Sequence, residues 1–143
     1  MAGRTVESQN RKQKKDLKKY VVEHLKELLE EEISEAGERL AKAIVAEDED
    51  LMEAASCFRE IAHDEARHAT LIATLIAEEG FWDTRSNVIS AIDADSHAAQ
   101  REREFVEAAK KAGMGDAARL FEELSEDEKG HVKDLEELLK NLR

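Results

Sequence analysis

The sequence predicts an all-α fold, a four-helix bundle assembled from two duplicated helical hairpins. Its 143 residues include no proline and only six glycines, and aromatic residues make up 4% of the chain. Alanine, leucine, glutamate, lysine and arginine, which favour helices, dominate the remainder. Apolar residues recur every three to four positions over long stretches, as on one face of a helix. A chain of this length is typical of one domain with its own core.

Four helices are expected after a polar, basic N-terminal arm at residues 1–15. The four-helix domain covers residues 16–143, with helices at 16–46, 51–79 and 87–111 and from Asp116 nearly to the C-terminus. The acidic run at 47–50 is predicted to form a tight turn and to cap the second helix, where carboxylates suit the helix dipole. The other expected boundaries are Gly80 after the second helix, Thr84 or Ser86 as the cap of the third, and a turn at 112–115.

The charge and the cysteine content exclude several classes of protein. The formal net charge is −12 at pH 7, which argues against non-specific binding to nucleic acid. The single cysteine, Cys57, is expected in the core and leaves no cysteine pair for a zinc or rubredoxin-type iron site. No apolar run is long enough to span a membrane, and no signal-peptide pattern occurs. We therefore expect a cytoplasmic protein without a membrane or nucleic-acid partner.

One short motif occurs twice and is the most informative feature of the chain. The sequence D-E-A-R-H at residues 64–68 returns 63 residues later as D-E-K-G-H at residues 127–131. In each copy the glutamate and the histidine are three residues apart, which places them on one helix face about one turn from each other. This geometry allows both side chains to bind the same metal ion.

The repeat extends beyond the motif. Phe58 matches Phe121, Glu60 matches Glu123, and the alanines at 54–55 match those at 117–118. A further carboxylate lies 33 residues before each motif glutamate. The chain therefore offers a carboxylate, a glutamate and a histidine twice, which is the set that a four-helix bundle uses to hold two metal ions. The predicted ligands are Glu32, Glu65, His68, Asp95, Glu128 and His131.

The chemistry of this donor set narrows the choice of metal. Carboxylates and neutral imidazoles suit iron or manganese, and zinc is also compatible with them. We expect Glu65 and Glu128 to bridge the two ions. A metal-bound histidine usually donates its other ring N–H to a carboxylate, so Asp64 and Asp127 are expected to accept such a bond from the histidine of the opposite hairpin.

A plainer interpretation of each motif is a solvated acidic helix face. Glutamate is abundant here, and a single E-x-x-H pair carries little information. Two copies inside a matching repeat favour the metal site. Phe58 lies seven residues before Glu65, and Phe121 lies seven before Glu128, so each glutamate falls on an apolar stripe.

These residues resemble the rubrerythrin branch of the ferritin-like superfamily over about residues 18–142. The resemblance rests on the two D-E-x-x-H motifs, the phenylalanine before each motif glutamate, the 33-residue spacing and the stretch at residues 93–97. It implies that the six predicted ligands bind two iron ions. The family commonly has glutamate at the position of Asp95 and a further carboxylate at the position of Ala98. The cysteine-rich rubredoxin domain of typical members is absent from these residues.

The resemblance implies a non-haem di-iron oxidoreductase that reduces hydrogen peroxide or activates dioxygen, with a role in oxidative stress. Because the rubredoxin domain is absent, its electrons are expected from a separate donor such as a rubredoxin. Two alternatives stay open. One is a ferroxidase or iron-handling protein of the ferritin-like type, and the other is a helical dimer with a structural metal.

The short link between the second and third helices predicts a domain-swapped homodimer. These two helices run parallel in a ferritin-like bundle, so the link must cross from one end of the bundle to the other. If Glu65 and Asp95 lie at the same height along the bundle, the link must span about 33 Å. Residues 80–86 reach at most about 25 Å when fully extended. Helices one and two of one chain are therefore expected to complete a bundle with helices three and four of another.

Overall fold

The computed structural model describes residues 5–142, which form four helices. They are α1 (Val6–Asp48), α2 (Met52–Glu78), α3 (Thr84–Lys111) and α4 (Gly115–Asn141). Residues 5–142 contain no β-strand, and the all-α, four-helix prediction is confirmed. The chain divides into two compact units, the first ending at Phe81 and the second beginning at Trp82. In the first unit α1 packs against α2, and in the second α3 packs against α4.

Helix α1 begins about ten residues before its predicted start at Asp16. Residues 6–15 of the expected arm form its first turns and are exposed, while residues 1–4 lie outside the described range. Lysine, arginine, glutamine and glutamate are good helix formers, so the polar segment continues the helix without any apolar stripe to reveal it. No described helix has the length and apolar character needed to cross a membrane.

In the first unit, α1 and α2 pack against each other through side chains at seven-residue spacing. The stripe on α1 is Val22, Leu29, Ala36 and Ala43, and that on α2 is Ala55, Ala62, Ala69 and Ile76. A seven-residue spacing returns to nearly the same helix face, so each stripe is continuous. Most members are alanines, and small contact residues permit a short distance between helix axes.

The second unit uses the same spacing with a few larger side chains. Its buried or half-buried stripe residues are Ile92, Ala99 and Val106 on α3, and Ala118, Ser125 and Val132 on α4. The rings of Phe105 and Phe121 also meet, with centroids 5.8 Å apart. Tilted aromatic pairs at this distance add to the stability of the helix contact.

Several larger apolar residues that follow the spacing of three to four positions, and that this spacing predicts to face the core, are exposed instead. In α1 these are Ile33, Leu40 and Ile44, and in or beside α2 they are Leu51, Leu71 and Leu75. The buried stripe of α2 runs through its alanines, and Leu71 lies two residues from the nearest member, Ala69. Cys57, also predicted to be in the core, is exposed because it lies two residues beyond the stripe position of Ala55.

The turns within the two units have matching geometry. In the first, Asp50 has φ of 60° and Leu51 N–H donates to Ala46 C=O at 2.8 Å. In the second, Gly113 has φ of 75° and Met114 N–H donates to Ala109 C=O at 2.9 Å. The 63-residue repeat therefore includes a left-handed turn residue, an aspartate in one copy and a glycine in the other.

Two of the predicted helix caps are wrong, and one boundary residue is confirmed. The acidic run does not cap α2, whose N-cap residue is Leu51 and makes no side-chain cap bond, because Glu47 and Asp48 still belong to α1. At α3 the cap is Asp83, which accepts a hydrogen bond from Ser86 N–H at 2.9 Å, since Thr84 and Ser86 are already helical. Gly80 follows α2 with φ of 77°, as predicted.

The substitution Gly113→Ala should lower the free energy of unfolding by about 1 kcal/mol, because an L side chain is strained at this left-handed φ. An added Cβ would meet no heavy atom within 4 Å, so the cost comes from the backbone alone. Gly130→Ala, inside α4 and equally free of clashes, is the matched control and should raise the stability by about 0.5–1 kcal/mol. Urea denaturation followed by circular dichroism measures both. Equal effects of the two substitutions would contradict the turn geometry.

Candidate metal centre

The first unit contains a buried carboxylate, Glu65 of α2. Its stripe neighbours at seven residues on either side are Phe58 and Ile72, both half-buried. Glu65 is only 9% exposed, and its Oε2 atom has no hydrogen-bond partner among the described residues. Burying a carboxylate oxygen without a partner is costly. A cation at this oxygen would remove that cost.

The charges around Glu65 are mixed. Burial raises the pKa of Glu65, Arg39 opposes this shift, and the negative charges of Glu35 and Glu32 add to it. Arg39 Nε lies 3.8 Å from Glu65 Oε1. Glu65 is thus influenced by two carboxylates of α1 and by one guanidinium, and a metal ion bound to Glu65 would favour its ionised form.

The other two predicted ligands of this unit meet across the two helices. Glu32 of α1 places Oε2 at 3.3 Å from Nδ1 of His68 on α2. Glu32 is half-buried, whereas the His68 ring is more exposed. Because His68 follows Glu65 by about one helical turn, Glu32, Glu65 and His68 occupy one short section of the hairpin.

The second unit gathers its three predicted ligands directly. Asp95 on α3 and Glu128 and His131 on α4 each offer one ligand atom, and these atoms all lie within 4.8 Å of one another. Within this group Glu128 Oε2 is 3.4 Å from His131 Nδ1. Two carboxylates and one imidazole that converge in this way fit iron, manganese or zinc by the chemistry of the donor atoms.

A buried hydroxyl ties α4 to α3 one turn before Glu128. Ser125 is 1% exposed, and its Oγ donates a hydrogen bond of 2.8 Å to the carbonyl of Ala99. The corresponding residue of the first unit is Ala62, which is also buried. Ser125 therefore adds one hydrogen bond between the two helices close to the ligand group.

The structure does not give every predicted site residue a partner of the expected kind. Asp64 is exposed and lies 4.0 Å from Arg67 Nε on its own helix, and Asp127 is exposed. Their hydrogen bonds to the histidine of the opposite hairpin stay a prediction. Sequence reasoning missed Glu35 and Arg39 near Glu65. The 63-residue offset, applied to α1 as a whole, pairs them with Ala98 and Glu102 and would have drawn attention to both.

Comparison with known proteins agrees with these observations. The rubrerythrin family matches residues 44–139. Reverse rubrerythrin-1 of Clostridium acetobutylicum is 32% identical over 117 residues, which cover 82% of this chain. The matched segment spans 65% of the length of that curated relative.

The substitution Ser125→Ala should cost about 1 kcal/mol of unfolding free energy, because it removes one buried hydrogen bond. Alanine already occupies the equivalent position in the first unit, so no rearrangement of the helices is expected. Ser96→Ala is the matched control, since Ser96 bonds only to Ile92 C=O on its own helix at an exposed position and should change stability by less than about 0.5 kcal/mol. Equal unfolding midpoints for the two variants would show that the Ser125 bond contributes nothing.

Proposed function

This chain belongs to the rubrerythrin family, and on that premise we propose that it is a non-haem di-iron oxidoreductase acting on hydrogen peroxide, with dioxygen as the alternative oxidant. Family membership supports a di-iron, ferritin-like protein. The observation that carries the proposal is the pair of half-sites, one in each unit, each built from a carboxylate, a glutamate and a histidine at the same places in the repeat. Residues 16–143 would form one ferritin-like domain, following the basic segment at 1–15.

The two half-sites supply the ligands of one di-iron centre in this proposal. The first half-site contributes Glu32, Glu65 and His68, and the second contributes Asp95, Glu128 and His131. The unpartnered Glu65 Oε2 and the converging atoms of the second group support this assignment. Both observations are what a bound cation would explain. Carboxylates that ionise and imidazoles that lose a proton on binding make the affinity fall as the pH falls.

When bound, the two ferrous ions supply the two electrons that, with two protons, reduce hydrogen peroxide to two molecules of water. The surrounding side chains have separate tasks. Arg39 offsets part of the negative charge at Glu65, at 3.8 Å. Glu32 Oε2 lies 3.3 Å from His68 Nδ1, so these two side chains would hold the same ion. A separate donor protein, such as a rubredoxin, would return the electrons.

The metal-binding part of the proposal is tested by titrating the metal-free protein with Fe(II) under argon. The wild-type protein should take up two ions per four-helix bundle. Glu65→Ala and Glu128→Ala should each abolish binding of the pair, because each would remove a carboxylate that is predicted to hold both ions. Glu60→Ala and Glu123→Ala are matched controls, since these glutamates occupy equivalent exposed positions one or two turns away. Undiminished stoichiometry in both bridging variants would overturn the site assignment.

The redox part is tested by adding one equivalent of hydrogen peroxide to the Fe(II)-loaded protein. Oxidation of both ions followed by repeated cycles with an external reductant would support the peroxidase. Progressive accumulation of Fe(III) beyond the pair would instead indicate an iron-handling protein. If the protein keeps its helical structure and its metal but undergoes no redox cycle, the result would favour a structural role for the metal.

We also propose that the protein is a domain-swapped dimer, on the basis of the observed helix ends. Glu65 lies 13 residues before the end of α2, and Asp95 lies 11 residues after the start of α3. In a bundle with parallel α2 and α3 and level ligands, these segments require a span of about 36 Å. The connection from Glu78 to Thr84 reaches at most about 22 Å when fully extended. A partner chain with its own copies of α3 and α4 removes the conflict.

A mixing experiment separates the swapped dimer from other assemblies. Glu65→Ala and Glu128→Ala chains, which individually lack the metal pair, are co-expressed. A swapped heterodimer then contains one centre with both lesions and one centre with neither. Random pairing should restore about a quarter of the wild-type metal content. Light scattering should report a dimer, and a dimer without any restored metal would contradict the swap.

A further inference from the structure

The two halves of the 63-residue repeat differ in charge one turn after the first predicted ligand of each hairpin. Glu32 of α1 corresponds to Asp95 of α3, and the residue one turn later is Glu35 in α1 but Ala98 in α3. The first hairpin therefore has two carboxylates at i and i+3 where the second has one. Residues with this spacing lie on the same side of a helix.

Two measured contacts define which side of α1 faces the proposed centre. Glu32 reaches His68 at 3.3 Å, and Arg39 reaches Glu65 at 3.8 Å. Glu35 lies between them, one turn after Glu32 and one turn before Arg39. A cation bound here would explain why the buried Glu65 Oε2 has no partner among the described residues.

We propose that Glu35 is a seventh ligand of the di-metal centre, which makes the first hairpin the richer donor. It would supply three carboxylates and an imidazole, against two carboxylates and an imidazole from the second. This proposal rests on the di-iron function proposed above. The asymmetry has a consequence for binding. The ion nearest α1 should be held more tightly than its neighbour and should have the higher coordination number, because an added anionic oxygen donor favours hard divalent ions.

The test uses Co(II) as a probe, bound to the full-length, metal-free protein without any turnover. Calorimetry gives the affinity of each ion, and the visible absorption of Co(II) reports its coordination number. Glu35→Gln should lower the binding affinity of one of the two ions by about tenfold or more. This loss is in the range found when groups that support a metal site are removed. It should change the absorption of that ion and leave the other unaffected. Glu35 is exposed, so the variant is expected to fold, and circular dichroism verifies this.

Glu30→Gln is the matched control, because this substitution removes the same charge. Glu30 is exposed and lies on the opposite side of α1 from Glu32. Equal effects of the two substitutions would reduce the role of Glu35 to general electrostatics and overturn the proposal. Two ions bound by Glu35→Gln with wild-type affinity and absorption would also overturn it, while leaving the di-iron function intact. Failure of the wild type to bind a pair of ions would instead remove the proposed function itself.

Discussion

The burial of Glu65 is the constraint on which the rest of the proposed centre depends. An ionised carboxylate in a helix contact made mainly of alanines is unfavourable unless something compensates it. Arg39 compensates one oxygen at 3.8 Å, and the other has no partner among the described residues. Replacing Glu65 by an apolar residue would remove the cost, so its presence is better explained by ligand binding than by stability. The charges gathered around it from α1 follow the same logic.

The two hairpins are alike in backbone and different in detail, and the differences are informative. The turns have the same hydrogen bonds, and both have a left-handed residue at the same position of the repeat. This residue is Asp50 in one turn and Gly113 in the other. Backbone geometry is therefore preserved where the sequence is not. Ser125, which stands where the first hairpin has Ala62, adds a hydrogen bond without altering the stripe. Each unit reaches the same contact between helices with its own side chains.

The fold class and the ligand positions could be predicted from sequence because both rest on periodic signals. Helix periodicity gave the four elements, and the repeat gave the six candidate ligands. The start of α1 could not be predicted, since residues 6–15 are exposed helix formers with no apolar stripe. Asp83 was missed as a cap because Ser86 and Thr84 are equally good candidates, and only the structure shows Ser86 N–H bonded to Asp83. The leucines are exposed because the contact between helices is made mainly by alanines. Alanine is only weakly hydrophobic, so a hydropathy pattern does not identify these positions as buried.

The two hairpins also differ in the charged residues close to the predicted ligands. Where α1 has Arg39, α3 has Glu102. Glu102 pairs with Arg101 at 3.2 Å on its own helix, so it adds a carboxylate to the second unit where Arg39 adds a cation to the first. Glu35 adds a carboxylate to the first unit where Ala98 adds no charge. The two exchanges oppose each other, since one makes the first unit more positive than the second and the other makes it more negative. The two hairpins thus share the carboxylate, glutamate and histidine positions, and under the proposed function a difference in affinity between the two ions would come from Glu35 as the added ligand and from Arg39 beside Glu65.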